Sequence, residues 1–227
     1  MEHPTPVPVP IDLAAWARRE HFEHYLRRVP CTYAMTVELD ATAFAAALRE
    51  SSRKTYLAQI WALATVVNAH EEFRMCLAEA EDGGGSRVPA IWPVVHPMFT
   101  VFNPERETFA AVWAPYDPDF GAFHDAAAPL LAEHAAATEF FPQGAPPPNV
   151  FDVSSIPWAS FTGFTLNIES GWEYLAPIFT LGKYALRGDR VLLPLAVQIH
   201  HAAADGFHTA RLVNELQVLL AEPSWVG

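Results

Sequence analysis

The sequence predicts an α+β fold built on a mixed β-sheet. Three observations carry this. Segments with strand-type alternation and segments with helical periodicity both occur, but they do not alternate strictly as βα units. No Gly-x-Gly-x-x-Gly element and no phosphate-binding P-loop motif is present, which argues against a Rossmann plan. The chain has 227 residues, of which 51% are hydrophobic and 18% charged, so it can bury a full core as one domain.

The elements follow in order. Residues 1–11 alternate proline (Pro4, Pro6, Pro8, Pro10) with other residues and read as an extended or poorly ordered arm; residues 12–227 read as a single domain. Ile11 to Arg28 is expected as a helix, capped by Asp12 and ended by Pro30. Thr32 to Asp40 alternates and is rich in β-formers, so it reads as a strand. Asp40 then caps a helix to about Glu50, with Phe44 and Leu48 one turn apart. Thr55 to Ala69 is apolar on all sides and long enough for a buried helix. Glu81 to Arg87 (EDGGGSR) is a turn between strands. Phe99 to Phe102 and Thr108 to Trp113 form a hairpin around Asn103 to Arg106. Asp117 to about Ala136 reads as a helix and Phe140 to Pro148 as a loop. Ser160 to Ile168 and Leu192 to His200 read as strands, the second with Leu193, Leu195, Val197 and Ile199 on one face. A helix from Gly206 to Leu220 closes the chain.

Composition excludes several classes of function. Fourteen basic residues stand against 26 acidic ones, a net charge of −12, so a broad nucleic-acid surface is not expected. No apolar run reaches the ~20 residues of a membrane span, and residues 1–11 have no basic start or apolar core of a secretion signal. A soluble, cytoplasmic protein is the expectation. Cys31 and Cys76 lie too far apart for a metal pair and read as free buried thiols.

The chemistry concentrates in Gln198 to His208 (QIHHAAADGFH), where a strand ends and a helix begins. Histidine transfers protons well near neutral pH. His200 and His201 point to opposite faces of a strand end, so only one can serve a given pocket. His200 suits a core position satisfied by a hydrogen bond. Small residues after His201 leave room for a substrate. Asp205 can organise the turn by pairing with a cation or with backbone N–H groups. His201, Asp205 and His208 as metal ligands is a competing reading, but no zinc-type motif accompanies them.

His-His-x-x-x-Asp-Gly resembles the signature of CoA-dependent acyltransferases of the chloramphenicol acetyltransferase plan. QIHHAAADGFHTARLVNELQ is similar to the trimeric chloramphenicol acetyltransferase family itself. So, in the family's order, are REHFEHY, CTYAMTVELD, NAHEEFRM, VHPMFTVFNPERETF, FFPQG, SSIPWASFTGFTLNI and APIFTLGKY. The resemblance spans about Trp16 to Leu220. Ala-Ala-Ala stands where Ala-Val-Cys is usual before Asp205, and the Glu81 to Ala90 turn is several residues longer than usual.

The resemblance implies acetyl-CoA as co-substrate, with no tightly bound cofactor, and chloramphenicol as acceptor, hence antibiotic resistance. His201 would be the general base, held in its tautomer through its own backbone carbonyl. Asp205 would pair with Arg18 and hold the turn. Ser154 would stabilise the oxyanion, and Thr180 would steady it through water. Tyr25, Cys31, Phe109, Phe141, Phe164, Leu166, Ile168 and Ile178 would line the acceptor pocket, and Lys183 would lie near the CoA phosphates. The family is a homotrimer whose sites lie between subunits. Competing readings are the catalytic core of a dihydrolipoamide acyltransferase, which shares the fold, and a non-catalytic binder of the drug or of a CoA ester.

Overall fold

The structure is a computed structural model that describes residues 6–80, 85–167 and 173–227. In chain order its elements are β1 (Val9–Pro10), α1 (Arg19–Glu23), β2 (Thr32–Asp40), α2 (Thr42–Arg49), α3 (Thr55–Ala69), β3 (Met75–Glu79) and β4 (Arg87–Ile91). They continue with β5 (His96–Asn103), β6 (Thr108–Trp113), α4 (Phe120–Glu133), β7 (Val150–Ile156), β8 (Ile178–Gly182), β9 (Ala185–Arg187), β10 (Arg190–His200) and α5 (Gly206–Ala221).

The main sheet runs β2-β10-β8-β7-β5-β6, with β9 also paired to β10. It is mixed: β7 pairs parallel to both β5 and β8, and the other neighbours are antiparallel. A small second sheet has the order β1-β4-β3. Leu193, Leu195, Val197 and Ile199 on β10 join Phe99, Phe151, Phe179 and the apolar faces of the helices in one core. The run Leu57 to Ala64 of α3 is wholly buried, which is why its sequence shows no polar face.

Most expected elements stand where the sequence predicts them; α3, β6 and β2 have the expected limits. The following expectations are corrected. The helix expected over Ile11 to Arg28 begins only at Arg19 and continues as a π-helix over His24–Arg28. Asp12 closes a tight turn on itself instead, its Oδ1 accepting the Ala14 N–H at 2.9 Å. Ile11 bonds sideways to the Pro89 carbonyl, so the arm continues β1 along β4 rather than starting a helix. The next helix has Ala41, not Asp40, at its N-cap; Asp40 stands one residue earlier and accepts the Thr42 N–H at 3.0 Å.

Residues 160–167 are not a strand. They cross the face of β10 opposite the helices, bonded mainly to side chains. The Gln198 amide accepts the Leu166 N–H at 3.0 Å and donates to the Leu166 carbonyl at 3.1 Å, and Thr36 Oγ1 accepts the Phe164 N–H. Two side chains thus do what a neighbouring strand would do, and an alternating sequence satisfies its backbone without a ladder. The strands β7 and β8, like the short β9, have no counterpart among the expected elements. Asp152, Ser154 and Ser155 in β7 and Thr180 in β8 interrupt the apolar pattern that marks a central strand. The Glu81 to Arg87 turn joins the paired strands β3 and β4, and its residues 81–84 lie outside the described residues.

Candidate active site

The turn after β10 is set by side chains. His200 is 2% exposed, and its Nδ1 accepts the Ala202 N–H at 3.1 Å. This is the satisfied core histidine expected of it. Ala202, Ala203 and Ala204 are buried, so the turn packs directly against the core. Asp205 then caps α5, accepting the Phe207 N–H at 3.1 Å.

His201 sits half-buried at this turn. Its N–H bonds to the Cys31 carbonyl at 3.0 Å, tying it to the chain that enters β2. Its ring stacks on Tyr25 with centroids 3.8 Å apart and planes within 5°. Tyr33 meets it edge-on at 5.2 Å. Nδ1 is buried and makes no hydrogen bond to another of the described residues. The ring is therefore fixed by two aromatic contacts and not by a carboxylate.

Asp205 Oδ2 accepts a hydrogen bond from Arg18 Nη1 at 2.6 Å, and Oδ1 lies 2.9 Å from His208 Nδ1. Partial burial raises its carboxyl pKa, but the Arg18 hydrogen bond and the charges of His208 and Arg18 outweigh this and hold it below the ordinary carboxylate range. Arg18 stands at the start of α1, so the pair joins the N-terminal helix to the turn that carries His201.

Ser154 and Thr180 form a second centre. They face each other across the parallel pair β7 and β8, with their hydroxyl oxygens 3.0 Å apart. Thr180 is opposite Ala196 on β10. His201 lies five residues beyond Ala196, roughly 16 Å at ~3.3 Å per residue, and Ser154 is a further strand away. One chain does not bring His201 and Ser154 within reach of one reacting group.

The expected pocket residues divide in the same way. Tyr25 and Cys31 lie beside His201. Phe164, Leu166 and Ile178 line a small cleft with Thr180, Ala196 and Gln198. Phe109 and Phe141 stand on the surface, 50% and 40% exposed, next to Phe140. Ile168 lies outside the described residues. Burial raises the pKa of both cysteine thiols, that of Cys76 to about 11, so neither is an activated nucleophile.

Sequence reasoning missed an apolar cavity. Successive strand residues point to opposite faces, so Ser155 looks away from Ser154 and toward the helices. There it helps line a cavity of about 550 Å³ between α3, α4 and the ends of β5, β7 and β8. Tyr56, Phe102, Trp158 and Tyr184 supply aromatic walls, and Lys183 stands at its edge with an exposed side chain. Burial pushes the Tyr56 hydroxyl up to about 12, so it stays protonated and can donate. These aromatic residues come from separated segments, and only Lys183 was singled out in the sequence. Among the described residues, no group of three or more His, Cys, Asp or Glu is placed to hold a metal ion.

Residues 9–217 match the family model described as chloramphenicol acetyltransferase. The chain belongs to this family. A chloramphenicol acetyltransferase of Streptomyces acrimycini is 74% identical over 226 residues, covering 100% of both chains. Chloramphenicol acetyltransferase 2 of Haemophilus influenzae is 44% identical, covering 92% of this chain and 95% of its own. Among solved structures, a chloramphenicol acetyltransferase superposes with a TM-score of 0.82 at 21% identity, covering 94% of this chain and 100% of that one. A dihydrolipoamide acetyltransferase of Azotobacter vinelandii gives 0.64 at 19% identity, covering 100% and 93%, which shows a shared fold only. The family membership is carried by close relatives over nearly the whole chain, His201 and Asp205 included.

Proposed function

We propose that the protein transfers the acetyl group of acetyl-CoA to the 3-hydroxyl of chloramphenicol. The observation that supports this most is His201, a half-buried imidazole held by Tyr25 and Tyr33 on the family's His-His-x-x-x-Asp-Gly turn. Its Nε2 would take the hydroxyl proton as the oxygen attacks the thioester carbonyl. The C–O bond forms, the tetrahedral intermediate collapses, the C–S bond breaks, and the proton passes to the departing CoA thiolate. No acyl-enzyme is needed, since both substrates bind together and orientation lowers the barrier.

Ser154 would donate to the oxyanion, with Thr180 3.0 Å away setting its rotamer. The acetyl-CoA arm would enter from the helix side through the cavity lined by Tyr56, Trp158 and Tyr184, which opens beside Ser155. Lys183 at its edge suits a phosphate as a point charge. The acceptor would lie on the opposite face, against Phe164, Leu166 and Ile178.

The separation of His201 from Ser154 within one chain supports a homotrimer with sites between subunits. His201 of one subunit would face Ser154, Thr180 and the Phe164 cleft of its neighbour. The exposure of Phe109 and Phe141 fits the same arrangement, because a neighbouring subunit or bound drug would cover them.

The test is thiol release on mixing the protein with acetyl-CoA, with and without chloramphenicol, beside His201→Ala. Drug-dependent release that the variant lacks is expected. Release without the drug, or none with a folded protein, would overturn the acceptor assignment, and dihydrolipoamide would be tried next.

A further inference from the structure

Asp205 does not touch His201, yet the two are joined by a short chain of contacts. Asp205 begins α5, and Thr209 lies one turn further along it. Thr209 is 0% exposed, and both its N–H (3.1 Å) and its Oγ1 (3.3 Å) bond to the Asp205 carbonyl. A hydroxyl that has given its proton to that carbonyl can still accept. The Tyr33 hydroxyl, 2.6 Å from Thr209 Oγ1, is then the donor. Tyr33 comes from the strand next to β10, opposite Ile199, and its ring meets the His201 imidazole edge-on. Tyr25 covers the ring by stacking. Nδ1 makes no hydrogen bond to another described residue, and the ring contacts of His201 are with these two tyrosines.

We infer that Tyr33 and Thr209 are positioning residues for His201. The Thr209 hydroxyl holds Tyr33 in one rotamer, and Tyr33 holds the imidazole in the plane that aims Nε2 at the acceptor. Arg18 and Asp205 act on the base through this chain, by fixing the first turn of α5, and not by charge alone. The direction of the hydrogen bond agrees with the state of Tyr33. Burial raises its hydroxyl pKa and outweighs the lowering by the Thr209 hydrogen bond, with Asp205 raising it and Arg18 lowering it by less, so it keeps its proton to donate. Two well-placed contacts matter here because a misaimed base loses rate steeply: a displacement of about 1 Å can cost on the order of 10²-fold.

This rests on His201 being the base, and the experiment separates the two ideas. Thiol release from acetyl-CoA with chloramphenicol is measured for Tyr33→Phe, Thr209→Val, the double variant and His201→Ala, well below each thermal midpoint. Tyr33→Phe keeps the ring and removes only the anchor. The expected result is a fall in kcat of roughly tenfold for each single variant, with KM for both substrates within about twofold. Since both changes cut one hydrogen bond, the double variant should be no slower than the worse single one. The ¹⁵N shifts of the His201 imidazole should broaden or move in Tyr33→Phe, which a purely stabilising role would leave alone. Wild-type kcat and imidazole shifts in Tyr33→Phe would overturn the positioning role, as would losses that multiply in the double variant. Full activity in His201→Ala would instead overturn the base assignment beneath it.

Discussion

His201 has the contacts of a residue that must point rather than merely fold. Its ring is stacked on Tyr25 and met edge-on by Tyr33, and its backbone N–H bonds to the Cys31 carbonyl. Replacing it by alanine should abolish turnover while chloramphenicol still binds, which equilibrium titration checks, since the imidazole is one small part of an apolar pocket. Ser154→Ala should lower kcat by roughly 10²–10³ with little change in KM, the signature of a donor used in the transition state. Steady-state kinetics at saturating acetyl-CoA would show it, and an equal rise in KM would point to a ground-state contact instead. Asp205 carries a prediction in pH. Its folded pKa lies below the ordinary value, so its ion pair stabilises the fold above about pH 4 and loses this as acid protonates the carboxylate. Asp205→Asn should therefore lower the thermal midpoint at neutral pH, and the gap from wild type should shrink on acidification below pH ~4. A gap that is constant with pH would mean that geometry, not charge, does the work.

At the scale of elements, the site depends on how β8 lies against β10. Gly182 ends β8, and a Cβ there would meet Pro194 Cβ and Phe161 Cε1, each at 2.9 Å. Neither neighbour is a flexible chain end that can swing away. Gly182→Ala should displace the strand end that bears Thr180 and Lys183, costing about 1–3 kcal/mol by overpacking. Chemical denaturation would measure it, and an unchanged midpoint would show that the 160–167 segment yields easily. That segment is held to β10 by the Gln198 amide, which makes both bonds to Leu166. Alternation in Ser160 to Ile168 reads as a strand because its described part, residues 160–167, does face a sheet, but across its surface instead of along its edge. The strands β7 and β8 stayed hidden for the opposite reason. Asp152, Ser154, Ser155 and Thr180 lie within them, and a polar residue in a central strand breaks the apolar pattern by which such strands are recognised.

For the molecule as a whole, the strand register keeps His201 and Ser154, the proposed base and oxyanion donor, apart within one chain. Activity should then belong to the oligomer. Co-refolding inactive His201→Ala with inactive Ser154→Ala subunits should restore part of the activity, because a mixed trimer pairs an intact His201 with an intact Ser154 across one interface. No recovery, with mixed trimers present, would place both groups in one subunit's site. The net charge of −12 leaves the surface unsuited to nucleic acid, and among the described residues no helix is long and apolar enough to cross a membrane.

By itself the sequence determined the α+β class, the helices α3 and α5, the strand β10 with its buried face, and the family, through local period and a motif that is contiguous in the chain. Contiguity is also why His201 and Asp205 stand out in the sequence as candidates. Only the tertiary structure decided where the helix after the Pro-rich arm begins, because Ile11 bonds to a carbonyl 78 residues away in sequence. It also decided the pairing of Ser154 with Thr180, the Tyr33–Thr209 anchor, and the aromatic cavity around Tyr56 and Trp158. Each of these joins residues from separate strands or helices. Their proximity follows from sheet order and helix packing, which depend on the whole core and leave no local period in the chain.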